Sequence, residues 1–350
     1  METPLTMRSY IKDLEECRLL SLSLLQSSVG LYNLILELSV LNLRWENYQF
    51  NSKDIRDPFE VADELVSDTL SRLKIVSDLV KFSNSAQLES RTKKDLESNH
   101  QEIFQHLWIQ FDTHDYEKRI QDYVNRLEVN QLGKDFMKNK KVLDLGCGHG
   151  NFLQACLKLG ASYGVGIDFG DESIAYAKKF ATNVENLEFK LGNVHNLQFD
   201  DNSFDFVIQN GVFHHLEDEA SAYKEAYRVL KPGGAMWIYT DGGGIRAELW
   251  DHSRKILSSL PIQVINSTLR NIGYSVSKTY HLSDGLSAVY RHETLHNLIR
   301  RLNDIGFEDY RRLMGGEWFD LDGEFLNRKN RFEIAGDGDL RILIHKPLNN

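Results

Sequence analysis

The run Val142-Leu143-Asp144-Leu145-Gly146-Cys147-Gly148-His149-Gly150 constrains this 350-residue chain more than any other segment. Lys141 to Leu145 reads as a buried strand. Glycine then recurs at every second position, which opens backbone dihedrals closed to other residues and lets the main chain approach a ligand closely. Asn151 to Leu159 has helical spacing, with Phe152, Cys156 and Leu159 on one face and Gly160 as its stop. The first N–H groups of such a helix lack partners within the helix. They point toward a carboxylate or phosphate held by the turn.

The same alternation continues down the chain. Strands are expected at Tyr163 to Asp168, Leu187 to Leu191, Phe204 to Gln209 and Ala235 to Thr240. Helices are expected at Glu172 to Ala181 and at Glu219 to Leu230, the latter stopped by Pro232-Gly233-Gly234. Two later strands are expected near Tyr310 to Leu313 and at Leu340 to His345. With the strand at Lys141 to Leu145 this makes a seven-stranded, mostly parallel α/β sheet with helices on both faces. Arg246 to Arg301 breaks the alternation; it reads as a helical insertion after the fifth strand, too long for an ordinary connection.

Residues 1–100 read as a separate helical module, followed by the α/β domain over 101–350 with its insertion at about 246–301. Within the module, Asp57 can cap a helix whose first position is Pro58, with Glu60 placed for a capping box. Phe59, Ala62, Val66, Leu70, Leu73, Val76 and Val80 then repeat at spacings of three and four, giving one apolar face. The stretch Leu19 to Leu43 is the most apolar, but Gln26, Asn33 and Glu37 interrupt it, so a buried bundle helix is expected rather than a membrane span.

Hydrophobic residues make up 41% of the chain, enough for a sizeable core, and the formal net charge is -10. That charge opposes a phosphate backbone, so nucleic acid is not an expected partner. Arg291, Arg300, Arg301, Arg311, Arg312, Arg328, Lys329 and Arg331 are expected on solvated faces, the alternative being a site for an acidic substrate. The three cysteines, Cys17, Cys147 and Cys156, form no paired or zinc-binding spacing. They fit a reducing, cytoplasmic setting, and no metal site is expected. The N-terminal residues carry acids where a signal peptide would be basic.

Asp168 ends the second strand, 22 residues beyond Gly146, where an acid commonly accepts hydrogen bonds from ribose hydroxyls. Two ligand classes remain open at this point: a dinucleotide for hydride transfer, or a methyl-donor nucleoside. The dinucleotide fingerprint requires glycine at its sixth position, where this chain has Asn151.

Leu143-Asp144-Leu145-Gly146-Cys147-Gly148-His149-Gly150-Asn151-Phe152 resembles the cofactor signature of class I S-adenosylmethionine-dependent methyltransferases, which have a Rossmann-like fold. Four further motifs follow in that family's order: Asp168-Phe169, Gly192-Asn193-Val194, Phe204-Asp205-Phe206-Val207-Ile208, and Tyr227-Arg228-Val229-Leu230-Lys231-Pro232-Gly233-Gly234. Val212-Phe213-His214-His215-Leu216 is similar to the stretch in ubiquinone- and menaquinone-biosynthesis methyltransferases. The resemblance covers roughly residues 140–242 and the last two strands.

It implies S-adenosyl-L-methionine as cofactor and S-adenosyl-L-homocysteine as product. It implies cofactor contacts at Asp144, Gly146, Cys147, Gly148, Asp168, Phe169, Asn193, Val194 and Gln209. Asn193 departs from the more usual aspartate, which weakens the expected amino contact. His215, with His214 beside it, is expected to serve as base if the acceptor must lose a proton, a structural role being the alternative. Tyr239 and His281 are expected to face the acceptor. Tyr280, Tyr290, His292 and Asp241 are further polar candidates, and Trp108, Phe111 and Tyr116 form an aromatic segment able to close over a sulfonium.

The expected activity is methyl transfer to a small molecule by in-line displacement, in the general class EC 2.1.1.-, with a second copy of the chain as a partner through the N-terminal helices. The alternatives are a catalytically inactive scaffold of the same fold, or an enzyme acting on protein or nucleic acid. Two motifs of nucleic-acid methyltransferases are missing: Ile208-Gln209-Asn210-Gly211 carries no proline pair, and no cysteine is placed for cytosine attack.

Overall fold

The computed structural model describes residues 9–26, 28–51, 54–82, 113–181, 184–257, 262–271, 273–274, 276–287, 290–315 and 330–348. Seven strands form one sheet: β1 Lys141–Leu145, β2 Tyr163–Asp168, β3 Leu187–Leu191, β4 Phe204–Asn210, β5 Leu230–Asp241, β6 Glu308–Arg312 and β7 Asp339–His345. Their order is β3-β2-β1-β4-β5-β7-β6. Strands β1 to β5 are parallel, and β7 runs antiparallel to both β5 and β6.

Because successive side chains in a strand face opposite ways, the sheet feeds two cores. In β5, Met236 and Ile238 join the cluster containing Val207, Tyr223 and Ile342, whereas Trp237 joins Phe152, Phe206 and Leu343 on the other face. The expected Rossmann-like layering of helices on both faces is therefore observed. The strand order reverses between β1 and β4, which opens a crevice at the carboxyl edge of the sheet.

Two strand boundaries differ from expectation for a local reason. Pairing of β5 begins at Leu230 instead of Ala235: Leu230 pairs with Phe204, the register shifts, and Gly233 at φ +74° absorbs the irregularity. Strand β6 begins at Glu308 instead of Tyr310, with Asp309 at φ +51° beside a similar register shift.

The chain divides into two compact units. The sheet unit comprises His100–Gly242, Val289–Asn327 and Asp337–Asn350. The helical unit comprises Met1–Asn99, Gly243–Ala288 and Arg328–Gly336, so the helices Ile245–Leu257, Ile262–Asn271 and Val276–Ser287 share a unit with those near the N-terminus. Helix Leu295–Ile305, which the sequence pattern assigns to the same insertion, belongs to the sheet unit.

Within the helical unit, the polar residues along helix Ser28–Phe50 have specific uses. Asn42 Nδ2 donates to Ser253 Oγ at 2.9 Å, and Glu46 pairs with Lys278 at 2.8 Å. Among the described residues, no helix is long and apolar enough to cross a membrane.

Helix Pro58–Phe82 starts where the sequence pattern places it. Asp57 Oδ1 accepts from the N–H groups of Phe59 at 2.8 Å and Glu60 at 3.3 Å, and Ala62, Val66, Leu70, Leu73 and Val76 are buried along one face. Asp57→Ala leaves those two donors without the cap and is expected to cost about 1 kcal/mol. A urea titration of the full chain checks this, and an unchanged midpoint would contradict the cap.

Several of the arginines expected on solvated faces are structural ties in the sheet unit. Arg311 donates to Asn130 O at 2.7 Å, Arg312 donates to Asp337 O at 2.5 Å, and Arg301 pairs with both Glu219 and Glu293. Arg328 and Lys329 lie outside the described residues.

Candidate functional site

The glycine turn after β1 is fastened to the end of β2. Gly146 N and Cys147 N both donate to Ile167 O, at 2.8 and 3.0 Å. Gly148 N donates to Asp168 Oδ2 and Gly170 N to Asp168 Oδ1, each at 2.8 Å. One carboxylate thus spans the turn after β1 and the turn after β2. Gly146, Gly148 and Gly150 all have positive φ, at +77°, +49° and +74°, a region that side chains rarely tolerate. A Cβ on Gly146 would come within 2.5 Å of Val212, so the turns after β1 and β4 nearly touch.

The floor of this cradle is acidic. Burial, and secondarily the neighbouring charge of Asp168, pushes the Asp144 carboxyl up to about 8. Burial likewise raises the Cys147 and Cys156 thiols well above their ordinary range, which makes them unreactive core residues. His149 is driven the other way, to about 3, chiefly by burial and secondarily by Arg119, and so stays neutral. Its ring stacks on Tyr176 at 4.1 Å, while Tyr116 OH donates to its carbonyl at 3.1 Å and Tyr116 O accepts from Asn151 Nδ2 at 3.1 Å. His149 and Tyr116 therefore brace the turn. Trp108 and Phe111 lie outside the described residues.

Phe169 follows Asp168 with 40% of its surface exposed, so an apolar ring is presented beside the clamped carboxylate. Asn193 is exposed, and its Oδ1 accepts from His195 N at 2.9 Å, which shapes the turn after β3. Val194 is buried in the core, so only its main chain borders that turn. Gln209 requires a correction. Expected beside the ligand, it is fully enclosed, with Oε1 accepting from Gly211 N at 3.1 Å. The side chain at 209 points into the core because strand alternation sends Asn210 the other way, where its amide meets Trp237 Nε1 at 3.1 Å and Tyr123 OH at 3.4 Å.

The second half of the site lies at the carboxyl ends of β4 and β5. The 3-10 turn Phe213–His215 carries His214 and His215, both buried, with ring centroids 4.1 Å apart. Tyr239 borders Gly211 and lies under the Arg341 guanidinium at 4.5 Å. Asp241, at the end of β5, has an Oδ1 atom 3.4 Å from His292 Nδ1. Tyr290 sits against both His214 and His215. The sequence names Tyr290, His292 and Asp241 individually, but more than 40 residues separate Asp241 from the other two, and no local pattern brings them together. His281 lies on helix Val276–Ser287, and its side chain is outside the described residues, as is that of Tyr280. Among the described residues, no group of acids, histidines and cysteines is arranged to hold a metal.

Residues 143–238 match the family described as "Methyltransferase domain". A demethylmenaquinone methyltransferase from Staphylococcus epidermidis is 38% identical over 101 residues, covering 28% of this chain and 42% of that protein. The sterol 24-C-methyltransferase of Aspergillus fumigatus is 31% identical over 175 residues, covering 48% of this chain and 43% of that protein. The match thus spans less than half the length of either relative. Among solved structures, an S-adenosylmethionine-dependent methyltransferase from Mesorhizobium loti aligns with a TM-score of 0.40 at 19% identity, over 60% of this chain and 92% of that one.

Proposed function

We propose, from the match of residues 143–238 to a methyltransferase-domain family and from the glycine cradle and its acid, that this chain transfers the methyl group of S-adenosylmethionine to a small-molecule acceptor. The observation that carries the reading is the Asp168 carboxylate, held by Gly148 N–H and Gly170 N–H at the end of β2. It presents an acid, already fixed in place, where a ribose diol donates its hydroxyls.

The residues present fit the cofactor. The buried Asp168 carboxylate suits a cationic ligand. The positive-φ glycines remove the side chains that would fill the cradle. The half-exposed Phe169 ring offers an apolar surface to a planar base. When bound, S-adenosylmethionine supplies a methyl group on a sulfonium, with a neutral leaving group. The task of the chain is therefore alignment and exclusion of water. Asp168 orients the ribose, and the Gly146–Gly150 turn lets the main chain approach it. Asn193 borders the base through the turn it shapes. Tyr239, His214 and His215 face the acceptor from the ends of β4 and β5, and a histidine there takes the acceptor's proton.

A small acceptor is supported by the acidic chain and by the two relatives, whose names specify a quinone precursor and a sterol. Two rings capable of stacking, those of Tyr239 and Tyr290, lie at this end of the sheet and suit an apolar or aromatic acceptor. Calorimetric titration with S-adenosylhomocysteine is expected to give saturable binding, with no heat from NAD. Asp168→Ala should weaken that binding by at least tenfold, since the carboxylate both orders the turn and meets the ligand. Absence of binding to the intact chain would overturn the reading and favour a scaffold that retained only the fold.

A further inference from the structure

The carboxyl end of β4 carries an amide whose orientation is fixed. Asn210 Oδ1 accepts from Trp237 Nε1 at 3.1 Å. An indole nitrogen donates and never accepts, so the carbonyl of this amide faces Trp237 and its NH2 group faces away. Trp237 is fully buried, and its ring meets Phe152 edge-on at 5.3 Å, so the anchor belongs to the packed core. One Nδ2 hydrogen is directed to Tyr123 OH at 3.4 Å, a long contact for a hydrogen bond. Tyr123 lies on helix Thr113–Val129, and its ring is stacked on Phe152 at 4.5 Å. The other Nδ2 hydrogen has no partner among the described residues, and Asn210 is only half-buried.

Strand order says what passes this amide. β2 and β4 flank β1, so two strand spacings, about 10 Å, separate their carboxyl ends. Asp168 closes β2, and the exposed Phe169 ring follows it. The turn after β4 reaches back to the glycine turn after β1, where a Cβ on Gly146 would lie 2.5 Å from Val212. A ligand with its ribose on Asp168 and its base beside Phe169 has a third part, the amino-acid tail. The open route for that tail runs across the glycine turn toward β4. Asp144 pairs with Ile208, so strand alternation projects Asp144 and Asn210 from one face of the sheet.

The tail carries one ammonium and one carboxylate. An outward NH2 group can only donate, so it complements the carboxylate and not the ammonium. An aspartate at the same position, or an asparagine turned the other way, offers the opposite preference.

We propose that Asn210 Nδ2 donates to the carboxylate of the cofactor's amino-acid tail, with Trp237 as the positioning residue that holds the amide in that sense. This rests on the reading of the chain as an S-adenosylmethionine-dependent enzyme. It adds a selection: the site discriminates between a tail with an intact carboxylate and a decarboxylated one, and residue 210 is where it does so.

The test is calorimetric titration of the full chain with two ligands, S-adenosylhomocysteine and its decarboxylated analogue. The unmodified chain, Asn210→Asp and Asn210→Ala are compared. Both variants are expected to bind S-adenosylhomocysteine at least tenfold more weakly, while neither loses more than threefold for the analogue. Equal losses for the two ligands, or an unchanged affinity for S-adenosylhomocysteine, would overturn the proposal. A second measurement needs no variant. In the unmodified chain labelled with 15N-asparagine, one side-chain amide signal is expected to move when S-adenosylhomocysteine is added and to stay in place with the analogue. Amide signals that respond alike to both ligands would contradict the assignment. A chain that binds neither ligand defeats the functional reading itself, whereas binding of both with an unchanged ratio in the variants defeats the role of Asn210 alone.

Discussion

Gly150→Ala is expected to destabilise the sheet unit by about 3 to 5 kcal/mol, combining strain from the left-handed backbone with overpacking. Gly150 caps helix Asn151–Lys158 at φ +74°, and a Cβ there would come 2.2 Å from Cζ of Phe189. A flexible side chain could swing away, but this ring is buried in the core. Its Cδ1 also lies 2.7 Å from where a Cβ on Gly166 would stand. The ring is thus pressed between two glycines on neighbouring strands and turns, and it has no room to give. Urea unfolding followed by circular dichroism measures the loss. In a Phe189→Ala background the clash disappears, and Gly150→Ala should then cost only the backbone strain, about 1 to 2 kcal/mol. A loss of under 1 kcal/mol in the otherwise unmodified chain would show that the turn can relax and that the glycine is not sterically required.

The second large effect is a pH dependence centred on Asp144. Its carboxyl is raised to about 8 in the folded chain, from the model-compound value of 3.8, with burial the main cause and Asp168 the second. A raised carboxyl means that the folded state holds its proton more tightly than the unfolded state does. Folding therefore takes up a proton between pH 4 and pH 8, and stability falls with rising pH across that window, by at most about 1.4 kcal/mol per pH unit from this group. Below pH 4 both states are protonated and the cost vanishes; above pH 8 it is complete.

Asp144→Asn keeps the shape and removes the titration. The stability difference between variant and parent should shift in favour of the variant from pH 4 to pH 8, then level off. His149 acts in the opposite sense: depressed to about 3, it costs stability as pH falls below 6.5. It is common to both proteins and cancels in the difference. Denaturation midpoints at five pH values measure the trend. A difference that stays flat across the window would mean that Asp144 is ionised in the folded chain and that the acidic floor is solvated.

Much of this molecule is legible along the chain because the forces involved are local. An apolar run ending in Gly146, Gly148 and Gly150 becomes a strand and a turn wherever it is placed, since sterics restrict those dihedrals to glycine. Asp57 caps its helix through N–H groups two and three residues away. Asp168 ends a strand whose length is set by its own apolar pattern, so its position at the sheet edge follows from counting residues.

Other features depend on contacts that no neighbourhood in sequence contains. Strand alternation shows that Gln209 and Asn210 face opposite ways, but only the packed sheet decides which faces the core; Gln209 does, and its amide closes on Gly211. Residues 246–301 read as one helical insertion. Its first three helices pack in the helical unit, and its last belongs to the sheet unit, because each amphipathic face buries itself where complementary apolar surface is available. The array of His214, His215, Tyr290, His292 and Asp241 is the clearest case. Its members come from β5, the turn after β4 and a segment near residue 290, and main-chain hydrogen bonds across those distances bring them together. Residue type and spacing settled the strands, the glycine cradle and its acid. Long-range pairing, whose free energy comes only from the assembled fold, decided which polar groups meet at the carboxyl edge of the sheet.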